Sequence, residues 1–141
     1  MEDAPGAPSS VTGEAAYPIQ RLLGFEVTEW SEGFARVELA LDPERHGNRY
    51  GIPHGGVHAT LIDTACGFAG SWTGDPAAPR HAMTLSLTVN YVGQTRGGRL
   101  IAEARVSGGG RRSFFADARL SDETGALIAT GTATLRWRGG S

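Results

Sequence analysis

The sequence predicts an α+β domain in which a curved antiparallel sheet wraps around one long central helix. Three observations carry that reading. Residues 54–72 read as a single helix with its large apolar side chains on one face. Two strand-like stretches precede it and four follow. The later strands are joined by Gly97-Gly98, Gly108-Gly109-Gly110 and Asp122-Glu123-Thr124-Gly125, which are turn sequences. At 141 residues and 40% hydrophobic content the chain suits one domain with a real core.

In chain order, residues 1–16 are acidic at the start and rich in Pro, Ala, Ser and Gly, and they offer little to bury. They read as a flexible tail ahead of a domain over 17–138. Residues 17–23 suit a short helix stopped by Gly24. A first strand runs from Gly24 to Trp30. After the turn Ser31-Glu32-Gly33, a second runs from Phe34 to Leu41, with Ala35, Val37, Leu39 and Leu41 alternating against Phe34, Arg36, Glu38 and Ala40. Residues 42–53 are polar and broken by Gly and Pro, a loop leading to the central helix. After a second loop at 73–79, strands are expected over 81–92, 99–107, 112–121 and 126–137. Residues 139–141 read as frayed. A long apolar helix cannot remain in solvent, so the sheet must curl around it.

The helix is opened by Pro53, which suits a position where an N–H would go unpaired. On a wheel, Val57, Leu61, Ala65, Phe68, Ala69 and Trp72 share one face, and Gly56, Ala59, Asp63, Gly67 and Gly70 the other. A solvent face would carry Lys, Glu or Arg. This strip carries small residues and one carboxylate. Glycines inside a helix cost about 1 kcal/mol each against Ala, so a second backbone or a thin ligand is expected to come close there.

Composition excludes several classes. The formal net charge of −2 gives no general attraction to nucleic acid. The lone Cys66 cannot form an internal disulfide, which fits a reducing compartment. No basic leader with an apolar run is visible and no stretch is long enough to span a bilayer, so a cytoplasmic protein is expected.

Before and within the helix the sequence reads Asn48-Arg49-Tyr50-Gly51-Ile52-Pro53-His54-Gly55-Gly56, followed by Asp63. This Asn-x-x-Gly-x-x-His-Gly-Gly pattern with a helical acid resembles the hotdog-fold acyl-CoA thioesterases, specifically the phenylacetyl-CoA thioesterase-like subfamily. The likeness runs from about Gly24 to Leu135, and Thr88-Val89-Asn90-Tyr91 supports it. Two departures are Val92-Gly93-Gln94, where a proline is usual after the Tyr, and Thr84, where relatives often place Ser. The resemblance implies a hotdog fold and hydrolysis of an acyl-CoA, with an aromatic acyl group suggested, to the free acid and coenzyme A without metal or organic cofactor. It implies a homodimer or dimer of dimers in which Asp63 acts as nucleophile or general base and reaches the other subunit's Gly55. Asn48 and Thr84 would position the water or nucleophile, and His54 would orient the loop or the thioester.

Elementary chemistry fits the pattern. A thioester carbonyl gains negative charge on attack, and a helix N-terminus offers free N–H groups and a favourable dipole. Gly55 and Gly56 place unobstructed N–H groups there as an oxyanion hole, while a carboxylate can attack or deprotonate water. Competing readings exist. His54 and His58 have the spacing of a zinc pair, but no Glu follows His54 and no third ligand is evident, so no metal is expected. Nothing local activates Cys66, which reads as packing. Arg111 and Arg112 could meet the phosphates of coenzyme A, or simply form a solvated hairpin tip. An acyl-CoA-binding module without chemistry is the alternative function; such modules tend to carry a DNA-binding segment, for which the N-terminal tail is too short. A hydratase would need a differently spaced acid–histidine pair.

Overall fold

The computed structural model describes residues 6–95 and 97–139. Their elements are α1 (Pro18–Leu23), β1 (Glu26–Ser31), β2 (Phe34–Ala40), α2 (Pro43–His46), α3 (Gly55–Ala69), β3 (Ala82–Tyr91), β4 (Arg99–Gly109), β5 (Ser113–Asp122) and β6 (Leu127–Trp137). The strands form one six-stranded sheet in the order β1-β2-β4-β5-β6-β3, antiparallel at every pairing. Between β2 and β3 the chain must travel to the far edge of the sheet. Helix α3 makes that crossing over the concave face, and there it meets the core.

Period-two alternation sets which side chains face the helix. In β5, Phe114, Ala116, Ala118 and Leu120 are buried while Phe115, Asp117 and Arg119 point out. Many inward positions are small, among them Ala102, Ala104, Ala116, Ala118 and Ala129, so the helix can lie close. Gly131 shows how close: a Cβ there would stand 2.6 Å from Ile62 Cγ2. Register irregularities in β1, β3, β4 and β5 add the local twist that curls the sheet.

The ends of α3 are satisfied by side chains. At the start, His54 is the N-cap and its Nδ1 accepts from Gly56 N at 2.8 Å. The last turn holds no basic residue. Two indoles serve instead, with Trp30 Nε1 donating to Phe68 O at 2.7 Å and Trp137 Nε1 donating to Gly70 O at 2.8 Å.

Four expectations change. The helix stops at Ala69, with Gly70 as its C-cap, rather than at Trp72. It also buries His58, Ile62 and Cys66 beside the expected apolar stripe, because a sheet curled around a helix covers a wider arc than a flat one. The loop at 42–53 contains the one-turn α2, pinned by His46. That ring is buried, its Nδ1 accepts from Asp42 N at 3.0 Å, and its Nε2 donates to Leu23 O at 2.7 Å. The tail is shorter than expected. Ser9 Oγ accepts from Val11 N and Thr12 N, Ser9 N donates to Glu14 O, and the turn so formed places Val11 against the core and buries Thr12. A turn that satisfies its own backbone polar groups can bury an apolar side chain at little cost. The tail reading for residues 1–5, and the frayed reading for 140 and 141, fall outside the described residues.

Candidate active site

The chain approaches α3 through a loop that Asn48 organises. Asn48 Oδ1 accepts from Tyr50 N at 2.8 Å and from Ile52 N at 3.3 Å, and Asn48 N donates to Ile52 O at 2.7 Å. The loop is tied back to α2 by His54 N donating to His46 O at 2.8 Å. Asn48 therefore shapes the turn that delivers His54 and Gly55, and its side-chain oxygen touches neither Asp63 nor Thr84.

The two glycine N–H groups at the start of α3 are not equivalent. Gly56 N is occupied by the His54 ring, so it is no oxyanion donor in this arrangement. Gly55 N has no acceptor among the described residues and remains free at the positive end of the helix. The Gly55 carbonyl receives a bond from a residue far along the chain, the Tyr91 hydroxyl at 2.6 Å. The Tyr91 ring lies where a side chain at position 55 would go: a Cβ would come within 3.3 Å of three of its atoms. Glycine at 55 thus answers to the tyrosine beside it.

Asp63 lies two turns further on, partly exposed in a cleft of about 430 Å³. Thr84, on the inward side of β3, donates to Asp63 Oδ1 at 2.6 Å. Tyr17, Ile19, Phe68 and Leu135 give the cleft apolar walls, and Gly67 opens its floor. A Cβ at 67 would meet only Leu135 Cδ2, at an ordinary 3.8 Å, so nothing inside the chain requires glycine there. Gly55 borders a different cleft of about 210 Å³, shared with Ile52, Pro53, His58, Tyr91 and Gln94.

These clefts cannot merge within one chain. Gly55 and Asp63 are eight residues apart on one rigid helix, about 12 Å along its axis. A carbonyl resting on Gly55 N–H is out of reach of its own chain's Asp63.

His54 and His58 point to different tasks. The first caps the helix; the second turns inward, its Nδ1 3.1 Å from the His54 carbonyl and its ring edge-on to Tyr91 at 5.6 Å between centroids. Burial lowers the His58 pKa, only partly offset by that backbone hydrogen bond. No group of three or more His, Cys, Asp or Glu side chains among the described residues is arranged to hold a metal ion. Cys66 is fully buried, and burial pushes its thiol up to about 12, with Asp63 and Asp117 adding to the shift; it is no nucleophile at neutral pH. Arg111 and Arg112 are exposed on the β4–β5 hairpin, near the C-terminal end of α3, where Arg80 donates to Arg111 O at 2.9 Å and stacks on Trp137 at 3.9 Å. They lie apart from Asp63 and Gly55.

Tyr91 is legible in the sequence only as part of a strand pattern, and no local signal ties it to Gly55, 36 positions away. His58 reads there only as half of a zinc pair. Its spacing to Ile62, Cys66 and Ala69 is helical, and that was signal enough to place it on the buried face.

Comparison with known proteins gives the following. A family model described as the thioesterase superfamily matches residues 50–129. The medium/long-chain acyl-CoA thioesterase YigI of Salmonella typhimurium is 31% identical over 129 residues, 83% of each chain. A Pseudomonas aeruginosa protein provisionally named an esterase is 38% identical over 85 residues, and that match covers 60% of this chain and 61% of the relative. The solved structure of the Escherichia coli PaaI protein, from the phenylacetic acid degradation operon, superposes with a TM-score of 0.76 over 87% of this chain and 86% of that one. At 22% identity its likeness speaks to the fold.

Proposed function

This chain belongs to the thioesterase superfamily, and from that premise we propose that it hydrolyses an acyl-CoA thioester, with the site shared between two copies. Its fold is the hotdog fold, a curved antiparallel sheet around one long helix. The single observation that carries the mechanism is the pairing of a free N–H at Gly55 with a braced carboxylate at Asp63, about 12 Å apart on one helix. A second copy is therefore needed to complete the site.

The sheet offers a place for it. Strand β3 is ten residues long and lies at the edge. It and the residue after it expose Met83, Leu85, Tyr91 and Val92. An unpaired, apolar edge of that length invites another strand. A second copy laying its own β3 antiparallel alongside would bring the Thr84 end of one strand towards the Tyr91 end of the other. Thr84 braces Asp63 and Tyr91 braces Gly55, so the carboxylate of one copy would approach Gly55 of the partner subunit. The assembly would be an isologous dimer, or a pair of such dimers.

In the reaction the thioester oxygen rests on Gly55 N–H, whose dipole stabilises the charge that develops on attack. Asp63 either attacks the carbonyl carbon or takes a proton from the attacking water, while Thr84 fixes its orientation. When Asp63 attacks, the C–S bond breaks to leave a mixed anhydride on Asp63 that water then hydrolyses. When Asp63 acts as base, the water oxygen bonds the carbonyl carbon and the C–S bond breaks directly. In both cases the coenzyme A thiolate leaves and takes up a proton, and the acid is released. The apolar walls of the Asp63 cleft suit an acyl group, which YigI's medium/long-chain name and the aromatic chains of the resembled subfamily bracket. Arg111 and Arg112, which make no ion pair among the described residues, are candidates for the phosphates of coenzyme A. His54 holds the start of the helix in shape. A cytoplasmic location agrees with a lone cysteine kept as a buried thiol, and no helix among the described residues is long and apolar enough to cross a membrane.

The test is thiol release across short, long and aromatic acyl-CoAs, set beside binding of a nonhydrolysable analogue. Asp63→Asn should lower turnover about 10²-fold or more, the range for losing general-base help, while leaving analogue binding intact. A wild type that binds the analogue and hydrolyses no member of the panel is a binding module, and the reading fails.

A further inference from the structure

His58 is only 6% exposed, yet one of its ring nitrogens is unengaged. Nδ1 faces the His54 carbonyl oxygen at 3.1 Å. A carbonyl can only accept, so Nδ1 carries the proton and Nε2 is a bare lone pair. No described residue donates to Nε2, and no fully buried polar side-chain atom lacks a partner. Nε2 therefore keeps contact with solvent, and His58 lines the 210 Å³ cleft shared with Pro53, Gly55, Tyr91 and Gln94.

Helical side chains lean towards the N-terminus. That lean carries the His58 ring back over the first turn of α3, three residues from Gly55 and about 4.5 Å along the axis. The edge-on contact with Tyr91 holds the ring plane, and Tyr91 is itself fixed by its bond to Gly55 O. The acceptor thus has a set position beside the N–H on which the thioester oxygen rests. Burial disfavours the imidazolium, and with the Nδ1 proton directed at the His54 carbonyl, Nε2 is left as a hydrogen-bond acceptor. A matching ligand must present an N–H or O–H close to the sulfur.

In an acyl-CoA the first such donor is the amide N–H two methylenes from the sulfur. We infer that His58 Nε2 accepts a hydrogen bond from that amide, which makes the cleft beside Gly55 the seat of the substrate's thiol arm and His58 a substrate-binding residue. The inference rests on the thioesterase reading of the same site. It adds which side of the oxyanion donor the thiol half occupies, and why a nearly buried ring leaves one nitrogen uncommitted.

The test compares two thioesters of one acyl group. The N-acetylcysteamine thioester keeps the amide two methylenes from sulfur; the S-butyl thioester has methylenes in its place. His58→Phe keeps a ring against Tyr91 without an acceptor, and His58→Gln returns a side-chain oxygen. His58→Phe should lower kcat/KM for the amide thioester about tenfold and the S-butyl thioester by less than about twofold, the scale of one hydrogen bond, with His58→Gln recovering part of the loss. Equal losses on both substrates, or none on either, would overturn the inference and leave His58 a packing residue. A binding readout is independent of turnover and of the variants' folding. In wild type, the 15N resonance of His58 Nε2 should move on adding an S-alkyl pantetheine thioether and stay in place with dibutyl sulfide. A resonance unmoved by saturating thioether overturns the inference too. Hydrolysis of neither thioester nor any acyl-CoA, with the resonance still moving, refutes the thioesterase reading while the binding assignment stands.

Discussion

Replacing Thr84 with Val tests the bond that fixes the carboxylate. Thr84 Oγ1 donates to Asp63 Oδ1 at 2.6 Å from an exposed position on β3, beside a register shift in that edge strand. Valine keeps the β-branched shape and the strand preference and exchanges only the hydroxyl for a methyl. A hydrogen bond to a charged group is worth about 1.5–3 kcal/mol. Each 1.36 kcal/mol in the barrier is tenfold in rate. If the bond serves to hold Asp63 in its reacting rotamer, its whole value appears in the transition state, about 10- to 150-fold in kcat. Asp63 is partly exposed, so water takes over part of the lost bond and the result should fall in the lower half of that range. Stability should barely change, because no cavity opens; surface changes of this kind stay within about 0.5 kcal/mol, which is roughly 2 °C for a chain of this length. The assay is steady-state thiol release with kcat and KM resolved, beside a melting curve, and Thr84→Ser should retain activity. An unchanged kcat refutes the role of the bond. So does a fall in melting temperature of several degrees accompanied by a raised KM, which would make Thr84 part of the scaffold.

Three other outcomes are expected. Cys66 should resist iodoacetamide in the native protein at pH 8 and react fully in denaturant. Burial holds its thiol up to about 12, where an exposed thiol ionises near 9.0, so between those values the unfolded chain loses a proton that the folded chain keeps. Stability should therefore fall as pH rises above about 9, and a flat melting temperature from pH 8 to 10.5 would count against it. Deleting residues 1–8 should leave the melting temperature unchanged, whereas deleting 1–14 should lower it, because the second cut removes Val11 and Thr12 from the core; equal curves would show that the Ser9 turn adds nothing. Light scattering should find a dimer or a larger even assembly at micromolar concentration. Gly67→Leu should weaken it, since a Cβ at 67 meets nothing tight within the chain and overpacking against a second copy costs typically 1–3 kcal/mol; a wild-type monomer would refute the shared site.

The fold was legible because its signals are local and periodic. Each strand shows its alternation within a dozen residues, and α3 shows its stripe from Val57 to Ala69. What could not be read was whatever depends on two distant segments meeting. The sheet curls far enough to bury His58, Ile62 and Cys66 along with the expected stripe, and no wheel reveals how wide an arc a partner layer will cover. The one-turn α2 is too short to show a period, and it is held by His46 reaching Leu23, a contact between the last residues of two short helices. The turn at Ser9 was missed for a related reason. Composition argues against a buried core there, while a single Ser–Val–Thr arrangement is enough to dock one side chain.

The candidate site divides along the same line. Gly55, Asp63 and His54 could be singled out because helix starts and isolated carboxylates are marked in sequence. Thr84 stood out only through the resemblance and the link from Tyr91 to Gly55 not at all, since both residues reach α3 only through the crossing that carries β3 to the edge of the sheet. That crossing also explains why one strand holds both braces. A strand antiparallel to a second copy of itself presents opposite ends at each half of the interface, so braces placed near its two ends are brought together twice by one two-fold axis. In the proposed shared site, a carboxylate and an oxyanion donor on one helix, too far apart to meet alone and each braced from opposite ends of the edge strand, would tie activity to assembly. A change that blocks pairing at β3 should abolish turnover without altering either Thr84–Asp63 or Tyr91–Gly55 within the chain. Such a variant, folded and inactive as a monomer, would separate the contribution of the partner subunit from that of the local geometry.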